Sequence, residues 1–310
     1  MTRLRLPALG RLSAVFGAAF GLSLGACAGD VPVASAAPAS IISVPIRVVQ
    51  TSDGTVSYRS DGSGHPLVLI MGFSGSQDTW PPALVDALAK RHRVITFDNA
   101  GIGHTSMPPG PLTISKMADQ TAALIAALRL RGPDVLGWSM GGMIAQALAV
   151  RHRGDVRRLV LCSTFSGNGK ATLPSTANAS ALFSAASDND IGALLSLIFP
   201  PDQLATAGQA YVQAVTGYPG FYQAPSSVDS AQNVAIQRWA AGDERAGHGR
   251  IAVPTLIGDG ADDVLTPPAN TQKMARAIGR SEVVIYPDAG HGFLLQDASA
   301  WAARVNRFLG

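Results

Sequence analysis

The sequence predicts an α/β fold, a mostly parallel, doubly wound sheet with an inserted helical lid. Three observations carry this expectation. Short apolar runs alternate with helical patterns from residue 66 to the end, which places crossover helices on both faces of a parallel sheet. The interval 165–250 breaks the alternation with helical patterning of its own. A glycine-rich turn at 137–142 joins an apolar run directly to a helical pattern. At 310 residues and 47% hydrophobic content, the chain has ample material for a large core.

At the amino terminus, Arg3, Arg5 and Arg11 precede an uncharged stretch from Leu12 to Gly29. Its apolar part, Leu12 to Ala26, falls short of the about 20 residues a membrane span needs. Residues 1–26 therefore read as an export signal with a charged n-region and an apolar h-region. The signal ends Leu24-Gly25-Ala26-Cys27, which resembles a bacterial lipobox. That resemblance implies lipidation of Cys27, and so an extracytoplasmic protein of the cell envelope held at the membrane by a lipid anchor. Cleavage near Ala34-Ser35-Ala36, which releases a soluble protein, is the alternative. Residues 27–42, rich in Ala, Pro, Ser and Val, read as a flexible tether.

Residues 43–164 and 251–310 form the expected core. Pro66 to Met71 reads as a buried strand, followed by Met71-Gly72-Phe73-Ser74-Gly75. Val94 to Phe97 is followed by the loop Asp98-Asn99-Ala100-Gly101-Ile102-Gly103-His104. Asp134 to Trp138 is a short apolar run that turns at Ser139 into a helical pattern of Met140, Met143, Ile144, Ala147 and Leu148. This turn reads as a nucleophile elbow. A serine hydroxyl needs a base to take its proton, and a tight strand-to-helix turn holds the oxygen clear of the backbone. Gly137 and Gly141 are then required sterically, and Gly142 lets the helix sit close to the sheet. A glycine-rich turn with an incidental serine is the alternative, so the motif needs its partners.

Leu159 to Ser163 is the next strand, and 165–250 follows as the helical lid. Ile191, Leu194, Leu195 and Ile198 make one apolar face, and Tyr211, Val212 and Val215 another. Pro200-Pro201 and Pro219-Gly220 divide the lid. Phe221 and Tyr222 face the pocket or pack within the lid.

A strand from Pro254 ends in Asp259-Gly260-Ala261-Asp262-Asp263-Val264-Leu265-Thr266-Pro267. Asp263 has the spacing at which this loop turns into a helix, with Asp262 as the alternative acid. Asp259 reads as a turn residue bonding its own backbone. A calcium-type loop lacks its spacing and terminal glutamate here. The last strand, Glu282 to Tyr286, precedes Ala289-Gly290-His291-Gly292, whose glycines let the imidazole project from the sheet edge. Of the other five histidines, His65 precedes a strand, and His92 and His152 sit in Arg-His-Arg surface clusters. His248 lies in a charged connector, and His104 is a minor candidate for lining the pocket.

The order Ser139, Asp263, His291, together with the Val94–Ser106 loop, resembles the serine-nucleophile branch of the α/β-hydrolase fold family, esterase and haloperoxidase-like, from about Pro45 to Leu309. The resemblance implies a sheet of about eight strands and a catalytic triad of these three residues. It also implies an oxyanion hole from the backbone amides of Met140 and Phe73. Two positions depart from the pattern. Ala100 stands where the family usually carries arginine, which touches loop packing and pocket polarity. Phe73 follows Gly72 where many relatives have a His-Gly pair, and its amide donates whatever its side chain.

The implied chemistry is a serine hydrolase cleaving a carboxylic ester or thioester through an acyl-enzyme, on a small-molecule, hydrophobic acyl substrate, without cofactor or metal. Ser139 excludes relatives with an aspartate nucleophile. Cofactor-free perhydrolases and carbon-carbon bond hydrolases share the triad and are the alternatives, as is a lipid-tethered binding protein without catalysis. Charge agrees with a non-nucleic-acid role. Removing residues 1–26 takes three arginines from 24 basic residues and leaves 21 of each sign, with no basic patch. With Cys27 lipidated, Cys162 is left alone at the end of a strand, a small core residue.

Overall fold

The computed structural model describes residues 40–219 and 222–310. The expected signal, Cys27, most of the tether, and Gly220 and Phe221 lie outside the described residues.

Among the described residues, eight strands form one sheet: β1 (Arg47–Thr51), β2 (Gly54–Asp61), β3 (His65–Ile70), β4 (His92–Phe97), β5 (Asp134–Trp138), β6 (Leu159–Cys162), β7 (Thr255–Gly260) and β8 (Ser281–Tyr286). Their order is β1-β2-β4-β3-β5-β6-β7-β8. From β4 to β8 every pair is parallel, while β1 and β2 form an antiparallel hairpin at one edge. The hairpin precedes the alternation from residue 66, and it accounts for the two strands outside the doubly wound pattern.

Among the described residues, ten α-helices flank or cap the sheet: α1 (Pro82–Ala89), α2 (Ile114–Ala127), α3 (Met140–Arg151), α4 (Thr176–Ser187), α5 (Ile191–Ile198), α6 (Gln209–Val215), α7 (Ser226–Ala241), α8 (Ala269–Ala277), α9 (Phe293–Gln296) and α10 (Ala298–Leu309). The period-2 alternation of β3 shows how the two layers arise. Leu67 and Leu69 face α1 and α10, among Leu84, Leu88, Trp301 and Val305. Val68 and Ile70 face α2 and α3, among Met117, Leu124, Ile144 and Leu148. Helix starts follow their capping residues. Thr113 accepts the Lys116 N–H at 3.1 Å, Asp190 that of Ala193 at 3.0 Å, and Asp297 that of Ala300 at 2.9 Å.

Between β6 and β7 the chain runs through α4 to α7 and short 3-10 and π turns. This insertion has a foot on each side of the sheet. Phe199, Tyr211, Val215 and Tyr218 join the α1/α10 core, while Ala235 and Trp239 of α7 join the α2/α3 core. Tyr211 and Tyr218 donate their hydroxyls to the Thr79 and Trp80 carbonyls at 3.0 and 3.1 Å. Gly242, at φ 83°, stops α7 in the left-handed conformation common at helix ends.

Three readings need correction. His92 is buried, not a surface residue: it sits on β4, and its Nε2 lies 3.0 Å from Asn306 Oδ1 of α10. Of its flanking arginines, Arg91 is exposed just before β4, and Arg93 is half-buried with its Nε donating to Ser60 Oγ at 3.1 Å. Ala100 is fully buried in the α2/α3 core and does not line the cavity that Ser139 and His291 share, so its departure from the expected pattern changes packing and leaves the polarity of that cavity alone. Asp259 bonds the neighbouring backbone as expected, but it is not in a turn. It accepts the Gly260 N–H at 2.9 Å, yet it lies on β7 and is completely buried.

Candidate active site

The sheet order reverses direction between β3 and β5, and such a switch point opens a crevice at the carboxyl ends of the strands. The β3 loop, the turn after β5 and the loops after β7 and β8 converge there, under the helical insertion.

Ser139 occupies the turn after β5 with φ 56° and ψ −121°, a region L-residues avoid. The turn closes this tightly because the chain has no side chain where space runs out. A Cβ on Gly137 would strike the Gly141 carbonyl, and one on Gly141 would strike that of Ile70. The Ser139 carbonyl accepts from Gly142 N at 2.9 Å and from Thr164 Oγ1 at 2.8 Å, which fixes the strained peptide. Met140 opens α3, so its N–H is among those without an intrahelical acceptor. Phe73 lines the same cavity as Ser139. Its loop is held by Asn99 Nδ2 donating to the Met71 carbonyl at 2.8 Å, and by Ser74 N donating to Gln232 Oε1 of α7 at 2.9 Å.

His291 is buried, and its Nδ1 lies 2.8 Å from Asp263 Oδ2. Its carbonyl accepts from Trp138 Nε1 at 3.0 Å and Ser163 Oγ at 2.9 Å, so β5 and β6 both hold the histidine loop. Asp263 is surrounded by donors. Oδ1 accepts from Leu265 N and Thr266 N, each at 2.8 Å, and Oδ2 also accepts from Thr266 Oγ1 at 2.8 Å. Burial alone would raise its pKa. The facing His291 charge, the His291 hydrogen bond and the Thr266 amide outweigh burial and hold the carboxyl well below the usual carboxylate range. Asp262 is exposed. His104 is exposed and outside the cavity lining, His65 Nε2 lies 3.0 Å from the Gly132 carbonyl, and His152 Nε2 lies 2.7 Å from Asp119.

Ser139 and His291 both line a cavity of about 300 Å³. Leu182, Leu194, Leu195, Ile198, Val212 and Val215 from α4, α5 and α6 form its roof and wall, with Met71, Phe73 and Trp138 from the core. Both apolar lid faces legible in the sequence therefore meet in this one space, and Tyr222 lines it too. Among the described residues, the lining holds no Asp, Glu, Lys or Arg. Also among the described residues, no group of three His, Cys, Asp or Glu side chains has the arrangement to hold a metal ion. Cys162 is buried in the α1/α10 core beside Trp301, and burial pushes its thiol pKa up.

The sequence reading missed three supports of this site: Thr266 on Asp263, Ser163 on the His291 carbonyl, and Gln232 reaching from the lid to the β3 loop. Thr266, three residues after Asp263 and just before Pro267, carries a readable turn signal. The other two are long-range contacts without a local signature.

Residues 65–298 match the family model described as alpha/beta hydrolase fold. Over 275 residues the chain is 33% identical to a putative non-heme bromoperoxidase, BpoC, of Mycobacterium tuberculosis, an alignment that spans 82% of this chain and 97% of that protein. It is 29% identical over 260 residues to a 2-hydroxymuconate semialdehyde hydrolase of a Pseudomonas species, across 82% of this chain and 89% of the relative. Among solved structures, an alpha/beta hydrolase fold protein from Chitinophaga pinensis superposes with a TM-score of 0.75 at 23% identity, covering 87% of this chain and 99% of that one.

Proposed function

Because the chain belongs to the alpha/beta hydrolase fold family, we propose that it is a serine hydrolase that cleaves uncharged, apolar esters or thioesters through an acyl-enzyme. One observation carries the reading: a strained Ser139 opens onto the same apolar cavity as His291, whose far nitrogen is clamped to a buried Asp263. In this mechanism His291, fixed with its proton on Nδ1 by Asp263, takes the Ser139 proton as the oxygen attacks the carbonyl carbon. The amides of Met140 and Phe73 receive the oxyanion. His291 then protonates the leaving group, and water repeats the cycle to release the acid.

The lining selects the substrate class. An anionic substrate entering this cavity loses its hydration and meets no counter-charge, whereas an aliphatic acyl or alkyl chain is stabilised by about 25 cal/mol per Å² of buried apolar surface. Likeness to a protein named as a bromoperoxidase favours one second reading on the same acyl-enzyme, with hydrogen peroxide replacing water and a peracid as product. Incubation of a short-chain ester with and without peroxide separates the two by product.

The test of the main reading is intact mass after treatment with a small fluorophosphonate, alongside hydrolysis of p-nitrophenyl butyrate. A single adduct at Ser139 and steady ester turnover are expected. A folded protein that takes up no probe and cleaves no ester overturns it.

The amino-terminal sequence supports export and a lipid anchor at Cys27. Cys27→Ala is expected to move the protein from the membrane fraction to the soluble fraction. Retention in the membrane would make the apolar stretch 12–26 itself the anchor.

A further inference from the structure

Beneath the Asp263–His291 pair lies a second carboxyl that the hydrolytic cycle does not use. Asp259 is completely buried at the end of β7. Its Oδ1 accepts from Gly260 N at 2.9 Å and Ser163 Oγ at 3.1 Å, and its Oδ2 accepts from Thr271 Oγ1 of α8 at 3.0 Å. Ser163 Oγ in turn stands 2.9 Å from the His291 carbonyl, so Asp259 is one hydroxyl away from the histidine loop. Its carboxyl is also within hydrogen-bonding reach of Asp263.

We propose that Asp259 is a positioning residue that stays protonated and gives that proton as a hydrogen bond to Asp263, so that Asp263 carries the one negative charge facing His291. Two carboxylates cannot hydrogen-bond each other without a proton between them, and like charges in a buried site push one of the two to stay neutral. The donors decide which. Asp263 is served by two backbone N–H groups, a hydroxyl and His291, a set that only an ionised group accepts in full. Asp259 has one backbone N–H, two hydroxyls that can turn, and no cation. The proton belongs on Oδ2, because Oδ1 already faces a backbone N–H that cannot turn away, whereas at Oδ2 the Thr271 hydroxyl can go on donating to the remaining lone pair while the proton points to Asp263.

The surroundings agree. The titratable groups facing Asp259 are Asp263, with His291 beyond it, and the Cys162 thiol on β6. On β8 its partner is Ile285, and α8 presents Thr271. Burial, followed by the charge of Asp263, raises the Asp259 pKa to about 9. The acid is therefore neutral through the range in which the triad works. Ionisation above that range would set two anions side by side and break the shared hydrogen bond.

This inference rests on the triad reading, and its test has a readout that does not. Wild type, Asp259→Asn and Asp259→Ala are compared as full chains. Asparagine mimics the protonated acid: with its oxygen at Oδ1, its amide donates to Asp263. Infrared spectroscopy at pH 7 is expected to show a protonated carboxylic acid stretch in wild type that is missing in Asp259→Asn, and that fades in wild type through about pH 9. The rate of Ser139 labelling by the fluorophosphonate should fall over that same range in wild type and stay flat in Asp259→Asn. Asp259→Ala should lose about tenfold in kcat with KM little changed, and Asp259→Asn should recover most of that loss. An unchanged infrared band in Asp259→Asn overturns the proposal, as does an alkaline fall shared by wild type and Asp259→Asn. If Asp259→Ala does not fold, the asparagine variant decides alone. If no form labels or cleaves esters, the hydrolase reading fails, and the infrared band still decides the protonation of Asp259.

Discussion

Ser139→Ala is expected to lower kcat by about a millionfold, the scale on which a serine hydrolase loses its nucleophile, while its melting temperature stays within about 2 °C of wild type. The two halves of this result have separate causes. Alanine keeps the Cβ, so it stands at φ 56° and ψ −121° with the same strain as serine. The carbonyl of residue 139 keeps its bonds from Gly142 N and Thr164 Oγ1. The hydroxyl alone is lost. Burst kinetics with p-nitrophenyl butyrate and a thermal melt measure both quantities. Residual turnover above about one part in a thousand of wild type would place the nucleophile elsewhere.

Asp263→Asn should lower kcat by about 10⁴-fold, while Asp262→Asn, on an exposed side chain, should stay within about twofold of wild type. The geometry leaves asparagine no good orientation. Oδ1 of the native carboxylate faces two backbone N–H groups, and Oδ2 faces the Thr266 hydroxyl and His291 Nδ1–H. Whichever oxygen becomes the amide NH₂, it meets donors. The less costly choice turns Thr266 around and forces His291 to accept on Nδ1. Its proton then sits on Nε2, facing the serine it should deprotonate. The same substitution carries a pH signature. Because the folded-state pKa of Asp263 is lowered, its stabilisation is complete above the unfolded value near 3.9 and is lost as pH falls below it. Melting temperature should therefore fall less steeply below about pH 4 in Asp263→Asn than in wild type. Equal activity losses at 262 and 263 would contradict the assignment of the acid.

The signals for the fold and for the candidate site are both local, and this is why the sequence alone predicts them. Gly137, Ser139 and Gly141 encode a turn that only small neighbours permit, and β5 and α3 on either side follow from periodicity. The spacing to the following helix favours Asp263 but leaves Asp262 open as the alternative. The structure places Asp263 against His291. Asp259 shows where local reasoning ends. Followed by glycine, it has the local bonding pattern of a turn residue. Its burial comes from β7 running three residues past Ile257, to Gly260, with Asp259 in register with Ile285 of β8. Extending the buried run of β7 to Gly260 was the available signal. The hairpin of β1 and β2 was missed for a different reason. β1 is largely exposed and lacks the apolar run that marks the other strands. Lid helices were legible as amphipathic faces, but their arrangement depends on which core side each foot rests on, and one chain's periodicity does not carry that.

The bond from Ser74 N to Gln232 Oε1 bears on how this protein can be re-engineered. An insertion between β6 and β7 looks like an exchangeable module, to be swapped whenever a different substrate is wanted. Here one helix of that module also steadies the strand-end loop that carries the Phe73 amide. A chimera given a foreign insertion inherits a new pocket together with a slackened anion cradle, unless the donor brings an acceptor of its own for that amide. Turnover would then drop for every substrate alike, and a search for altered preference would discard the very chimeras whose pockets had changed as intended.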